Sequence, residues 1–266
     1  MTGSSLAFTR IVLGLDQPAS DQAALRFAAD FAKLLRLDLF GLFAEDPSLV
    51  HLAELPSLRE FRVLERQWRP IEGRSLSGDL ESSASAARRA FEDMALAIGV
   101  KRRFEIVRAK TMDAIASVSG ETDIVMVSES KTPAHFCIPS FAEIVAAAMA
   151  TPAAVLLLPN PVARLRGPVL VIGESAEDPS VASAAAIAAA ADEQLEVVTT
   201  EDSLLSMPWR RRDQPGERMV VMSRRVSASL APLSVVSQRR VPVLVLGRRR
   251  VTATATSEDS VSERER

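Results

Sequence analysis

Short, wholly apolar runs recur along this chain, with segments of helical apolar spacing between them. Ile11-Val-Leu-Gly-Leu15, Ile124-Val-Met-Val127 and Ala153-Ala-Val-Leu-Leu-Leu158 carry no polar residue at alternate positions. A strand with one wet face alternates polar and apolar residues, whereas a strand covered on both faces does not. Between these runs, Ala24, Leu25, Ala28, Phe31, Ala32 and Leu35 form one helical stripe, and Ala84, Ala87, Phe91, Met94, Ala95 and Ile98 another. Doubly covered strands alternating with amphipathic helices specify the α/β class: an open, mostly parallel sheet of five strands, doubly wound with helices on both faces.

The order of segments divides the chain. Residues 1–9 are an N-terminal arm. A strand ends at Asp16, Ser20 caps the first helix, and a second strand follows over 37–43. Residues 45–79 are broken by Pro47, Pro56, Pro70 and Gly73; a short helix is expected within 49–61, with Phe61, Leu64 and Trp68 continuing its apolar face. A helix begins at Leu80 and stops at Gly99, which suits a helix C-terminus. Strands over 104–107, 123–127 and 153–158 and helices over 112–118 and 141–150 complete a domain spanning 10–160. The pattern then restarts. Pro168-Val-Leu-Val-Ile-Gly-Glu174 repeats the opening strand with its acidic end, and Pro179 and Ser180 repeat the helix start. Strands over 195–199, 219–222 and 241–246 and a helix over 230–239 follow in the matching order. The middle helix, third strand and short helix have no counterpart. Residues 161–250 therefore read as a shortened second α/β half, an internal repeat. Residues 251–266 are rich in Thr, Ser and charge without apolar periodicity, and are expected to be a disordered tail.

Composition removes several functions. Lys plus Arg is 32 and Asp plus Glu is 34, a formal net charge of −2, so there is no global electrostatic case for nucleic acid. One cysteine, Cys137, and two histidines, His51 and His135, exclude an intrachain disulfide and a cysteine zinc cluster. There is no signal-like start. The alanine-rich run 181–191 is far short of the ~20 residues a membrane span needs, so no membrane partner and a cytoplasmic location are expected. Neither a G-x-G-x-x-G run nor a G-x-S-x-G elbow occurs. Ser140, His135 and Asp123 can be written as a triad, but nothing in their spacing supports one. Cys137 stands between Phe136 and Ile138 and reads as an inert buried thiol rather than a reactive one. The clusters Arg210-Arg-Arg212, Arg239-Arg240 and Arg248-Arg-Arg250 read as solvated loop and strand ends, with an acidic partner, phosphate or RNA as the alternative.

The opening Arg10-Ile-Val-Leu-Gly-Leu-Asp16, its helix and second strand, the segment Thr122-Asp-Ile-Val-Met-Val127, and Thr151-Pro-Ala-Ala-Val-Leu-Leu-Leu158 together resemble the universal stress protein domain. A weaker, shortened copy over 168–247 makes the whole similar to a tandem form. The resemblance implies strand order 3-2-1-4-5, and pairing of the closing strands of the two copies, residues 154–158 with 243–246. Nucleotide-binding members of that family carry a G-x-x-G-x9-G-[ST] loop after the fourth strand. The aligned positions here are Ser128, Lys131, Phe141 and Ala142, so all three glycines and the hydroxyl are replaced, and Glu129 adds a negative charge. Asp16 stands where the family's strand-end aspartate meets the nucleoside, with Glu174 as its second-half equivalent. The expectation is a protein that has lost nucleotide binding, has no cofactor and no turnover, and acts as a regulator or scaffold through a protein partner or self-association. The alternative is an adenine-nucleotide binder or weak ATPase holding ATP with Asp16, Ser128, Ser130 and Lys131. A further alternative is an accessory nucleic-acid binder using the arginine clusters.

Overall fold

The structure is a computed structural model that describes residues 8–15, 22–53, 55, 59–62, 65–70, 73–129, 140–199 and 216–247. In chain order its elements are β1 (Arg10–Gly14), α1 (Gln22–Leu35), β2 (Asp38–Ala44), α2 (Pro47–Ala53), β3 (Arg59–Arg62), β4 (Gln67–Pro70), α3 (Gly73–Ile98), β5 (Arg102–Val107), α4 (Thr111–Val118), β6 (Asp123–Ser128), α5 (Phe141–Ala150) and β7 (Ala154–Leu158). After these come β8 (Val169–Gly173), α6 (Pro179–Ala191), β9 (Leu195–Thr199), β10 (Met219–Met222), α7 (Arg224–Ser229), α8 (Pro232–Arg239) and β11 (Val243–Val245). The main sheet has nine strands in the order β5-β2-β1-β6-β7-β11-β10-β8-β9. Every pairing in it is parallel except β7 with β11.

The expected five-stranded unit is present, and the pairing of its closing strand with that of the second half makes one sheet of nine. The first part of the chain supplies β5-β2-β1-β6-β7, which is the order 3-2-1-4-5, but β7 is not an edge. Its second side is taken by β11, so the second half extends the same sheet. The apolar strand runs divide by parity between two cores. Ile11, Leu13, Leu156 and Leu244 pack under α1, α3 and α6. Val12, Val155, Leu157 and Val243 pack under α4, α5, α7 and α8. With helices on both faces, no central strand has a wet side, which is why the runs do not alternate. The two outer strands are less buried and carry charge. β5 presents Arg102, Arg103 and Glu105, and β9 presents Glu196, a charge pattern that discourages edge-to-edge pairing.

Residues 45–79 differ from the sequence reading. The helix there is only Pro47–Ala53, and α3 starts at Gly73 rather than Leu80. Phe61 and Trp68 do not continue a helical face. They are opposite each other across the antiparallel β3–β4 hairpin, with ring centroids 5.2 Å apart. A three-to-four-residue apolar spacing is ambiguous where punctuation is dense, and the cross-strand aromatic pair is the stabilising contact that a hairpin needs. Gly99 does end α3, at φ +79°, accepting the left-handed turn that a β-carbon resists.

The join between the halves is the most deeply buried part of the molecule. In β7, Ala154, Val155, Leu156 and Leu157 have no exposed surface, and neither do Val243, Leu244 and Val245 of β11. The antiparallel register places Val243 opposite Leu157, Leu244 opposite Leu156 and Val245 opposite Val155. Full burial of a side chain of this size is worth about 1.5–3 kcal/mol. A charge here has no partner, and breaks the core on both sides of the seam. Val243→Asp is therefore expected to cost about 3 kcal/mol or more. Scanning calorimetry should show a single unfolding transition moved down as a whole; two transitions of which only one moves would contradict a shared core.

Candidate functional site

In a sheet of this kind ligands lie beyond the carboxyl ends of the strands, where the strand order reverses. Here that place is the end of β1 and β6. The two strands are adjacent and in register, Leu13 level with Met126, so their ends stand side by side. Ser128 is the last residue of β6, half-buried and paired in register with Leu158. Asp16, Ser130 and Lys131 lie outside the described residues, as do His135, Cys137 and the clusters 209–212 and 248–250. Of the four residues proposed to hold a nucleotide, the structure places Ser128 alone.

The next residue, Glu129, reaches across to the second half of the chain. Its backbone N–H donates to the Leu158 carbonyl at 2.9 Å, completing the strand end. Its Oε2 accepts from Arg240 Nη1 at 2.8 Å and from the Asn160 N–H at 3.1 Å. Arg240 also donates to the Asn160 carbonyl. The Arg240 backbone is left-handed, φ +55°, as the residue that ends α8, and its carbonyl accepts from the Ala163 N–H at 2.7 Å. Arg240 is therefore a clasp between halves, not a solvated cluster residue. Arg239 is likewise engaged: it forks onto Glu217, which is 5% exposed, at 2.5 and 2.6 Å.

The N-terminus of α5 is the second place where a phosphate would sit, because a helix start offers free N–H groups. Two of those groups are already engaged by the chain itself. Ser140 caps the helix and Glu143 completes a capping box: the Glu143 N–H donates to Ser140 Oγ, and Glu143 Oε2 accepts from the Ser140 N–H at 2.7 Å. The backbone hydrogen bond from Ser140, followed by that of its hydroxyl, holds the Glu143 carboxyl below its usual range. Phe141, in the first turn, packs against the core under α4 and α5. The spacing Ser140-Phe-Ala-Glu143 is a legible capping-box signal, and the loop alignment alone overlooks it.

The second half has the same feature in closed form. Asp178, 7% exposed, caps α6 and sits where β8 and β10 end. Its Oδ1 accepts from the Ser180 N–H and hydroxyl at 2.8 and 2.7 Å, and its Oδ2 from the Glu174 N–H and Ser223 Oγ, both at 3.1 Å. Ser223 follows β10 as Ser128 closes β6, so the crevice is bridged from within. Gly173 permits this approach: a β-carbon there would stand 2.9 Å from the Ser175 carbonyl oxygen and 3.0 Å from Asp178 Cβ. Burial pushes the Asp178 carboxyl up, but the four hydrogen bonds outweigh it and hold it below the ordinary value. Glu174, the second-half counterpart of Asp16, turns outward and pairs with Arg225 at 3.5 Å.

Arg224, the residue after Ser223, reaches in the opposite sense to Glu129. Its guanidinium donates to the carbonyls of Met149, Thr151, Ala153 and Leu246, at 2.8 Å for Thr151, 2.7 Å for Ala153 and 3.3 Å for Leu246. It thereby satisfies the carbonyls at the end of α5, which a helix leaves open. Residues following the two equivalent strands thus each tie one half to the other. No spacing rule reveals this, because Arg224 and its acceptors in the first half are more than 70 residues apart.

Asp123 is not part of a triad. It is 3% exposed and forks onto Arg10 at 2.8 and 2.9 Å. Its carboxylate is committed to Arg10 and to the Gly120 N–H at the start of β6. Among the described residues no His, Cys, Asp and Glu group has metal-binding geometry, and no helix is long and apolar enough to cross a membrane.

Two measurements test these roles. Arg224→Ala should cost about 2–4 kcal/mol in urea unfolding, because it orphans buried carbonyls, and Arg224→Lys should restore less than half of that, since an ammonium lacks the fork. Glu129→Gln, at a partly exposed pair, should cost about 1 kcal/mol or less. Because the Asp178 pKa is lowered by folding, its contribution is complete above the free-aspartate range, about 3.9, and is lost as pH falls through the lower folded value. The melting-temperature gap between wild type and Asp178→Asn should hold from neutral pH to about pH 5 and shrink below about pH 4.

No family model and no curated protein matches the sequence. Solved structures do match. A universal stress protein from Archaeoglobus fulgidus DSM 4304 aligns over 91% of this chain and 98% of its own, with 13% identity and a TM-score of 0.61. A putative universal stress protein from Pseudomonas aeruginosa UCBPP-PA14 aligns over 91% of this chain and 94% of its own, with 14% identity and a TM-score of 0.51. A universal stress protein solved in complex with cAMP aligns over 45% of this chain and 75% of its own, with 23% identity and a TM-score of 0.30. Sheet order, layer arrangement and these full-length alignments together show that the chain has the universal stress protein fold.

Proposed function

We propose that this chain is two fused universal stress domains that no longer bind nucleotide, and that it acts as a regulator or scaffold through a protein partner or self-association. One observation carries the reading: the described positions where phosphates would be held present the protein's own carboxylates. Glu129 and Glu143 flank the first crevice and Asp178 fills the second. An incoming triphosphate meets carboxylates there, and at α5 a helix start two of whose N–H groups are already held by the capping box. Loss of turnover follows from loss of the nucleotide. The lone cysteine is in keeping with a cytoplasmic setting.

The fused-copy reading is supported by the sheet. Outward from the antiparallel seam the strands run β7-β6-β1-β2-β5 on one side and β11-β10-β8-β9 on the other, the same connectivity with the last strand missing. The clasps Glu129 and Arg224 occupy equivalent places about that seam.

Calorimetric titration of the purified protein with ATP and magnesium should give no binding tighter than about 100 μM, and heat-denatured protein should release no nucleotide. Affinity in the micromolar range, or stoichiometric released adenine nucleotide, overturns the reading in favour of the ATP alternative. A fragment ending at Arg166 exposes β7 along its length and should dimerise or aggregate, as uncovered apolar edges do. A soluble, monomeric fragment would falsify the fused-copy reading.

A further inference from the structure

On the face of the sheet that carries α1, a cavity of about 570 Å³ opens beneath the segment leaving β7. Its walls are mainly apolar: Phe27, Phe31 and Leu34 from α1, Leu158 from the end of β7, and Val162 and Leu165 from the segment after it. Phe27 and Phe31 stack at 5.8 Å, forming one flat surface. Leu165 is 62% exposed, a large apolar side chain left at the rim. A volume in this range is that of a small-molecule site, about 300–1,000 Å³.

One cation lines this apolar space from the far side of the seam. Arg218, just before β10, donates from its backbone to Pro168, but its guanidinium has no hydrogen bond or ion pair among the described residues. Burial draws its pKa down, and the charge that counters this is that of Glu193, which itself accepts from the Gly167 N–H. The other charges on the cavity wall, Arg26 and Asp30, lie one helical turn apart at 3.8 Å, are largely exposed, and balance each other at the mouth. An apolar volume with one guanidinium that has no hydrogen-bond partner among the described residues, its charge countered only at longer range by Glu193, is complementary to an apolar body bearing a single negative charge. A carboxylate matches the guanidinium fork in two parallel hydrogen bonds. A dianionic phosphate does not suit: it exceeds the one inner cation, finds no glycine among the described lining residues, and faces Asp30.

We propose that this cavity binds an amphipathic organic carboxylate, with its apolar body against Phe27, Phe31 and Leu34 and its carboxylate on Arg218. Ser128, a residue of the nucleotide alternative, also lines this cavity, so an adenine nucleotide and the carboxylate would share part of it, and the comparison of head groups distinguishes the two.

Decanoate and decylamine, which share an apolar body and differ in the sign of the head group, are the probes. Calorimetry and native mass spectrometry on the full-length chain should show one decanoate bound, and decylamine weaker by about tenfold or more. Arg218→Met should lose about tenfold or more in decanoate affinity while leaving decanol binding unchanged, and Leu34→Trp should block both by filling the cavity. Equal binding of decanoate and decylamine, no decanoate binding at millimolar concentration, or full affinity in Arg218→Met overturns the proposal. Should the Arg218 variant fail to fold, the comparison of the two head groups on the unaltered chain decides the matter alone.

Discussion

The rest of the structure depends on the antiparallel contact between β7 and β11. Each of these strands closes its own half of the chain, and each is apolar on both faces. Left alone, either would be a bare sheet edge with unpaired N–H and C=O groups beside exposed leucine and valine, a template for aggregation. Paired, they become the centre of a nine-stranded sheet, and the two cores run uninterrupted across the join. The reversal of strand direction at this one place also brings the carboxyl-terminal edge of the first half next to the amino-terminal edge of the second. That is why Arg240, Arg218 and Glu217 of the second half stand near the strand ends of the first.

This geometry gives a physical account of why the residues after β6 and β10 do not look like a phosphate loop. A glycine-rich loop leaves its amides free and its backbone bare. Here the corresponding positions bear long charged side chains that point over the seam, Glu129 onto Arg240 and Arg224 onto the carbonyls at the end of α5. The two ties differ in strength. Glu129 and Arg240 remain about one-third exposed, so their attraction is screened by water, whereas Arg224 replaces water at several backbone carbonyls at once. The asymmetry matches a molecule in which one crevice stays open beside α1 and the other is bridged by Asp178 and Ser223.

The regulatory role proposed above calls for a surface or a ligand to respond to. The cavity beside α1 adjoins the seam and is lined by both halves, α1 and β7 from one and Arg218 from the other. A molecule held there touches the same segment, residues 158–165, that carries the Asn160 and Ala163 contacts to Arg240. The proposed ligand site and the join thus share a stretch of backbone.

The sequence alone determined the layered α/β class, the positions of most strands and the parity of their side chains, because covered strands must be apolar on both faces and that pattern is local. It also carried the departures from a nucleotide loop at Ser128, Lys131 and Phe141, and the capping spacing of Ser140 with Glu143 could be read from it. It misplaced residues 45–79, where a helical spacing and a hairpin pairing of Phe61 with Trp68 are indistinguishable in one dimension. The pairing of the closing strands, β7 with β11, was implied by the family resemblance and not by any local pattern. Only the tertiary structure decided that Arg224 and Arg240 are clasps and not solvated charge, and that Arg218 lines an apolar cavity. Each of these is a contact between residues far apart in the chain. Whether a charged side chain is solvated, paired or buried depends on what the fold brings to it, and no local pattern encodes that.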